Sequence, residues 1–145
     1  MKLSTRVRFG LRIMVQIAAE GDAEPVFARR IAAAQAISEA YVDQILMPLR
    51  ASGLVVSFRG RAGGYQLARP ASSITALEVV EALDGRLSLV DCADNSAACN
   101  RVATCVTHRV WKRLSTVIRQ TLVGITLDDL RREQEGLHRV ADYVI

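Results

Sequence analysis

The segment at residues 27–67 constrains the fold most, because a helical pattern there gives way to a strand pattern. A short helix is predicted from Phe27 through Ile31 and the alanines at 32–34, and Gln35-Ala36-Ile37 indicates a tight turn. Ser38 is a good N-cap for the next helix, whose buried face consists of Tyr41, Val42, Ile45, Leu46 and Leu49. Two short helices around a three-residue turn form a helix-turn-helix.

A predicted β-hairpin follows this motif directly. Alternating residues mark strands at 54–58 and 65–68, and the turn between them is Arg59-Gly60-Arg61-Ala62-Gly63-Gly64. Its glycines permit positive φ angles, while Arg59 and Arg61 supply guanidinium groups that suit phosphates or a narrow minor groove. The predicted fold class is therefore mainly α with a small β-hairpin wing, a winged helix-turn-helix. A solvated hairpin tip is the alternative interpretation of the turn.

The second helix of the motif contains the candidate base-reading residues. In a helix-turn-helix, the first residues of this helix face the major groove. Here they are Ser38, Ala40, Tyr41, Asp43 and Gln44, to which the wing adds Arg59, Gly60 and Arg61. Gln44 can pair with adenine, and Asp43 can accept from the amino group of cytosine. Tyr41 is equally compatible with a place in the core.

Charge is distributed unevenly along the chain. Residues 1–70 contain ten Lys or Arg and five acids, whereas residues 71–145 contain nine and ten, so the net charge of +4 divides into +5 and −1. A basic half is typical of a surface that binds a polyanion, although ordinary solubilising charge is the alternative. Together with the motif, it predicts double-stranded DNA as a partner.

Further helices are predicted on both sides of the motif. One begins at Ser4, and a capping box at Thr75-Ala76-Leu77-Glu78 starts another that ends before Gly85. From Cys105 a helix of about twenty residues has one broad apolar face. That face either packs on its own domain or forms part of a homodimer interface. A short final helix is expected over 129–135.

The chain therefore divides into four predicted parts. Residues 1–85 form the winged helix-turn-helix, 86–108 a metal-binding loop and helix start, 105–135 the dimerisation helix and the short final helix, and 136–145 a tail. Charged residues interrupt every apolar run before the roughly 18 residues that a membrane span needs, and no signal-peptide pattern follows Met1. We expect a cytoplasmic location and no membrane partner.

Three cysteines and a histidine form the candidate metal site. Cys92, Cys99, Cys105 and His108 have the spacing C-x6-C-x5-C-x2-H. Three thiolates and an imidazole suit either tetrahedral zinc or an iron-sulfur cluster. Structural zinc sites usually include a C-x2-4-C pair, which this sequence lacks, so the cluster is favoured. Three buried free cysteines beside an exposed histidine are the remaining alternative.

Several motifs are shared with a known group of bacterial regulators. They are Ile37-Ser38, Tyr41, Gln44-Ile45-Leu46, Leu49-x3-Gly53-Leu54-Val55, Ser57-x-Arg59-Gly60-x2-Gly63-Gly64-Tyr65-x-Leu67 and Ile125-Thr126-Leu127-x2-Leu130. From Met1 to about Glu135, the chain resembles the IscR-like winged helix-turn-helix transcription regulators, a family that includes NsrR-like and RirA-like proteins.

The resemblance implies a homodimer with a long dimerisation helix, in which Arg59 enters the minor groove and Ser38, Ala40, Tyr41, Asp43 and Gln44 face the major groove. It also implies a 2Fe-2S cluster bound by Cys92, Cys99, Cys105 and His108, because Cys105-Val106-Thr107-His108-x2-Trp111 is similar to the family's Cys-Leu-Thr-His-x2-Trp. The chain departs from the family by one extra residue between the first two cysteines, and by Asp43 where relatives often have Glu.

The leading hypothesis is thus a transcription regulator, repressor or activator, that senses iron-sulfur or redox status. A nitric-oxide or iron sensor with a 4Fe-4S cluster is the alternative on the same scaffold, followed by a zinc-bound or cluster-free repressor. An electron-transfer protein could also hold a cluster on three cysteines and one histidine, but it would not need a basic wing or a helix-turn-helix. No P-loop, nucleophile elbow, HExxH or dinucleotide fingerprint is present in the sequence, so we do not expect an enzyme.

Overall fold

The computed structural model describes residues 3–21, 23–61 and 63–142. These ranges contain seven α-helices and one two-stranded antiparallel sheet, in the order α1 (Thr5–Glu20), α2 (Ala28–Gln35), α3 (Glu39–Ala51), β1 (Val55–Phe58), β2 (Gly64–Leu67), α4 (Ala76–Asp84), α5 (Asp91–Asp94), α6 (Val106–Val123) and α7 (Leu127–Asp142). Single 3-10 turns lie at Ala71–Ser73 and Ser96–Ala98. The mainly α class with a hairpin wing is confirmed.

The helix-turn-helix is built from local signals that the sequence already contains. α2 ends at Gln35, and Ala36 takes a left-handed conformation with φ of 54° that turns the chain toward α3. The Ser38 hydroxyl then accepts from the Tyr41 N–H at 3.2 Å and caps α3. A free N–H at a helix start is costly unless it is capped, so this serine fixes where α3 begins.

The core lies between α1, α3 and α4. Ile13 and Met14 of α1, Ile45 of α3 and Val79 of α4 are fully buried there. Leu127, at the start of α7, is also fully buried in this cluster, and its N–H donates to the Ile74 carbonyl at 2.9 Å. The predicted winged helix-turn-helix at 1–85 therefore receives a core residue from far along the chain.

The predicted capping box at the start of α4 is confirmed. The Thr75 hydroxyl accepts from the Glu78 N–H, and the Glu78 carboxylate accepts from the Thr75 N–H at 2.8 Å. Partial burial raises the pKa of Glu78, but the hydrogen bonds from Thr75 and Arg69 outweigh it, so the pKa lies below its ordinary value of 4.5. The ionised form of Glu78 is therefore the one that the fold stabilises.

The wing is a regular hairpin with an additional backbone contact. β1 and β2 pair so that Val55 faces Leu67 and Ser57 faces Tyr65. On its other side, Tyr65 exchanges two backbone hydrogen bonds of 2.9 Å with Val26, just before α2. Gly64 makes this approach possible, because its φ is 128° and a Cβ there would lie 2.7 Å from the Val26 oxygen. Ala62 lies outside the described residues.

Two segments are more regular than the sequence indicates. The expected loop at 86–104 contains α5 and a 3-10 turn, elements of about one turn that are too short to produce an apolar period. The final helix, expected to be short and to cover 129–135, runs instead from Leu127 to Asp142, so it includes the tail residues up to Asp142. Salt bridges at helical spacing stabilise α7, from Arg131 to Asp128 and Glu135, each 2.7 Å.

None of the helices in the described part of the chain combines the length and the apolar character that a membrane span requires.

Candidate nucleic-acid interface and metal-binding residues

The first two turns of α3 present the candidate base-reading residues. Val42, Ile45, Leu46 and Leu49 face the core, so the helical period places the opposite residues outward. Ser38, Ala40, Asp43 and Gln44 are exposed. Tyr41 is half-buried, and its ring packs edge-on against Phe9 with 5.9 Å between centroids. The structure thus gives Tyr41 a packing contact in addition to the predicted interface position.

The wing residues stand beside this face of α3. Arg59, Gly60 and Arg61 are exposed at the described edge of the turn, and Gly60 has a φ of 91°. A cleft of about 340 Å³ separates the wing from the first residues of α2. Arg59 lines this cleft together with Arg50 of α3, whereas Arg61 lines a second cleft with Pro25 and Phe27. The described wing therefore offers two exposed guanidinium groups, which are suited to phosphates.

Two side-chain hydrogen bonds join α3 to the wing. The Tyr65 hydroxyl of β2 donates to Asp43 Oδ1 at 3.0 Å, and the Arg50 guanidinium donates to the Ser57 hydroxyl of β1 at 3.1 Å. Burial raises the pKa of Tyr65, and the Asp43 carboxylate raises it further, so its hydroxyl keeps the proton that it donates. The wing and α3 are held together by contacts that local sequence patterns do not reveal.

Arg50 is an interface candidate that the sequence analysis missed. It is exposed, lines the cleft beside the wing, and lies on the same side of α3 as Asp43. The spacing Asp43, Met47, Arg50 is the four-then-three spacing of a single helical face. That periodicity would have identified Arg50, had it been applied to the polar face of α3 as well as to the buried one.

The four candidate metal ligands lie in or beside the segment between α4 and α6. Cys92 is in α5, Cys99 follows the 3-10 turn, Cys105 precedes α6, and His108 is in the first turn of α6. All three cysteines are free and half-buried. Among the described residues, no three Cys, His, Asp or Glu side chains are close enough together to bind one metal ion. The structure therefore does not converge the full predicted set.

Cys105 and His108 form the best-defined part of this set. Cys105 is the N-cap of α6 and has an extended backbone, and His108 follows three residues later in the first turn of that helix. The hydroxyl of Thr107, 3.2 Å from the Cys105 sulfur, lowers the pKa of that thiol, and backbone hydrogen bonds lower it further. His108 is buried, and its Nδ1 has no hydrogen-bond partner among the described residues. Such an atom is costly unless a ligand or metal uses it.

By donor chemistry these residues fit an iron-sulfur cluster, with three unpaired thiols and one imidazole nitrogen that needs a partner. The segment that contains the cysteines is also connected to the winged helix-turn-helix. Glu81 of α4 accepts from the Leu87 N–H at 3.1 Å and is ion-paired with Arg119 of α6. The Leu89 N–H donates to the buried Ser115 hydroxyl of α6 at 3.3 Å. Glu81 is thus a shared contact of α4, α6 and the cysteine-containing segment.

Comparison with known proteins extends over nearly the whole chain. Residues 3–133 match the family model described as "Rrf2: Iron-dependent Transcriptional regulator". "Protein rrf2" of Nitratidesulfovibrio vulgaris is 38% identical over 133 residues, which is 92% of this chain and 89% of that protein.

Two solved structures have the same fold. That of CymR (YrzC), titled "the Global Cysteine Regulator of B. subtilis", aligns with a TM-score of 0.78 and 33% identity, covering 92% of this chain and 98% of that one. That of T. potens IscR aligns with a TM-score of 0.77 and 32% identity, covering 94% and 90%. The helical architecture, the hairpin wing and the matched family all agree, and the chain belongs to the Rrf2 family of transcriptional regulators.

Proposed function

We propose that this protein is a homodimeric DNA-binding regulator whose affinity for its operator is controlled by an iron-sulfur cluster bound by Cys92, Cys99, Cys105 and His108, with 2Fe-2S as the cluster type. The observation that carries the proposal is the buried Nδ1 of His108, which has no hydrogen-bond partner among the described residues and lies in the first turn of the helix that begins directly after Cys105. Similarity to IscR supports it. The likeness to the cysteine regulator CymR is equally strong, and makes a cluster-free regulator the outcome to test against.

For DNA, the outward residues of α3 and the wing are the proposed contact surface. Ser38, Ala40, Tyr41, Asp43 and Gln44 would face the major groove, and Arg59, Gly60 and Arg61 the adjacent backbone or minor groove. Arg50, which lines the cleft beside the wing, adds a phosphate contact. Double-stranded DNA with two-fold related half-sites is the expected partner, because a symmetric dimer presents two such surfaces.

The dimer is proposed from the exposed apolar side of α6. Six large hydrophobic residues of this helix are exposed: Val106, Val110, Trp111, Leu114, Val117 and Val123. Most follow the three-to-four spacing of one helical face, and α6 is about 27 Å long at 1.5 Å per residue. An apolar stripe of that length is unfavourable in water. A second copy of the chain, whose α6 has the identical stripe, is the partner that would cover it.

Glu81 provides the proposed connection between the ligand residues and DNA. It contacts the segment that contains the cysteines through Leu87 and contacts α6 through Arg119, while α4 itself packs against α1 and α3. A change in the position of that segment would therefore alter contacts of α4, which supports the reading helix. When bound, a cluster with an imidazole ligand supplies sensitivity to redox state and to protonation. A ligand shifts a conformational equilibrium only when it interacts differently with the two conformations. The contacts of Glu81 and α4 would supply that difference between cluster-bound and cluster-free protein.

The test is anaerobic purification followed by absorption spectroscopy with iron and sulfide analysis. We expect visible absorbance and equal iron and sulfide, lost when Cys92, Cys99 or Cys105 is replaced by alanine. His108→Ala should shift the spectrum and weaken cluster retention, whereas His138→Ala, which removes an exposed histidine of α7, should change neither. Colourless protein containing zinc, or no metal, in every preparation would refute the cluster proposal.

A 4Fe-4S cluster on the three cysteines is the second candidate. It needs only the three free cysteines and leaves His108 outside the ligand set. In that case four iron atoms per chain are expected, His108→Ala keeps the cluster, and nitric oxide or iron depletion is the signal. The same iron and sulfide analysis distinguishes the two candidates.

A further inference from the structure

Asp43 is an acidic residue on the outward face of α3, and one of its two carboxylate oxygens already accepts a hydrogen bond. The side chain is exposed, yet its Oδ1 accepts a hydrogen bond from the Tyr65 hydroxyl at 3.0 Å. The partners are 22 residues apart and belong to different elements, α3 and β2. Asp43 is therefore oriented by the wing.

Tyr65 is itself held rigidly. Its backbone pairs with Ser57 in the hairpin and, on the opposite side, with Val26 through two hydrogen bonds of 2.9 Å. The preceding Gly64 allows the chain to approach Val26 closely enough for those bonds. A residue paired on both sides has little freedom, so the position of the Tyr65 hydroxyl is set by the sheet and by the segment before α2.

The chemistry of a fixed carboxylate selects one base. An ionised carboxylate only accepts hydrogen bonds, and with Oδ1 engaged, Oδ2 is the oxygen left for DNA. In the major groove, cytosine presents an amino donor, whereas adenine places an acceptor beside its amino group and guanine presents acceptors alone. We infer that Tyr65 is a positioning residue for base recognition, whose hydroxyl holds Asp43 so that its free oxygen reads the amino group of a cytosine. This inference rests on the proposed DNA contact of α3.

The experiment is selection of duplexes from a randomised pool by the full-length protein, followed by anisotropy titrations on the selected sequence and its single base-pair changes. The variants are Asp43→Ala, Tyr65→Phe and the double variant. Tyr143→Phe, which removes a tyrosine hydroxyl outside the described residues, is the matched control. All four are compared with wild type at one salt concentration, because protein–DNA affinity depends on salt.

We expect Asp43→Ala to abolish the preference for cytosine at one position of each half-site. Tyr65→Phe should weaken the preference at that same position by about tenfold, the lower part of the range for one specific base contact. The other positions and the salt dependence should stay as in wild type. The double variant should show no more loss than Asp43→Ala alone, because both changes remove one interaction.

A different pattern overturns the inference. If Tyr65→Phe lowers affinity equally for every base at every position, or leaves the preference at the Asp43 position intact, the tyrosine only supports the wing. If wild-type protein enriches no sequence at all, the proposed DNA function fails instead. The two failures are therefore distinguishable.

Discussion

Replacing Gly64 with alanine tests whether the close contact between the start of β2 and Val26 positions the wing. At Gly64 the φ of 128° belongs to a region that L-residues rarely adopt, and the new Cβ would lie 2.7 Å from the Val26 oxygen and 2.8 Å from its carbonyl carbon. The backbone conformation costs about 1–3 kcal/mol, and overlap with a backbone that cannot rotate away adds about 1–3 kcal/mol more. Against a typical total of about 5–15 kcal/mol, this is a severe change.

Gly53→Ala is the matched control. Its φ of 72° is also positive, but no atom lies within 4 Å of the Cβ position, so only the conformational cost of about 1–2 kcal/mol applies. Urea unfolding followed by circular dichroism should place Gly64→Ala below the control by the overlap cost. If the hairpin detaches from Val26 instead, the cost appears as lost DNA affinity. Equal stability and equal DNA affinity of the two variants would refute the reasoning.

Four shorter predictions concern the interface, the fold, the dimer and the coupling. Arg59→Ala should reduce the slope of log affinity against log salt by about 1.8 for a dimer, which is 0.9 per lost phosphate contact, as measured by anisotropy. Because the pKa of Glu78 in the folded protein lies below 4.5, ionised Glu78 stabilises the fold fully above that pH. This stabilisation is lost as the pH falls through the pKa of the folded state, so Glu78→Gln should flatten the acid side of the free energy of unfolding plotted against pH. Leu114→Glu should give a monomer by light scattering, while the exposed Lys112→Glu remains dimeric. Glu81→Gln should retain its iron but show a smaller difference in DNA affinity between iron-loaded and iron-free protein.

What the sequence predicts well is what short-range chemistry decides. Ser38 and Thr75 cap helices within three residues of themselves, and the alternation around the wing is equally local. The contact of Tyr65 with Asp43 joins residues in different elements, and no local pattern encodes it. Gly136 was interpreted as the beginning of a tail, yet α7 continues through it because one glycine costs only about 1 kcal/mol in a helix.

The candidate metal site likewise has one part that the sequence predicts and another part that it does not. Spacing identified Cys105 and His108 as neighbours, and they meet at the start of α6, where Cys105 is the N-cap and His108 lies in the first turn. It did not determine where Cys92 and Cys99 lie relative to them, because irregular chain between short elements has no period from which a direction follows. The burial of His108 is what makes Nδ1 costly when it has no hydrogen-bond partner. That burial depends on tertiary packing, which spacing does not reveal.

The return of the chain at Leu127 has a consequence for the order of folding during synthesis. Leu127 completes the core formed by the N-terminal half, and Thr126 forms a β-bridge with Thr75. The two ends of the segment from Ala76 to Ile125 thus meet on one core. A nascent chain that has left the ribosome only as far as Gly85 lacks Leu127 and therefore part of its hydrophobic core. The winged helix-turn-helix can complete its core only after the cysteine-containing segment has been translated. The protein would then be able to bind DNA only once its ligand residues are available.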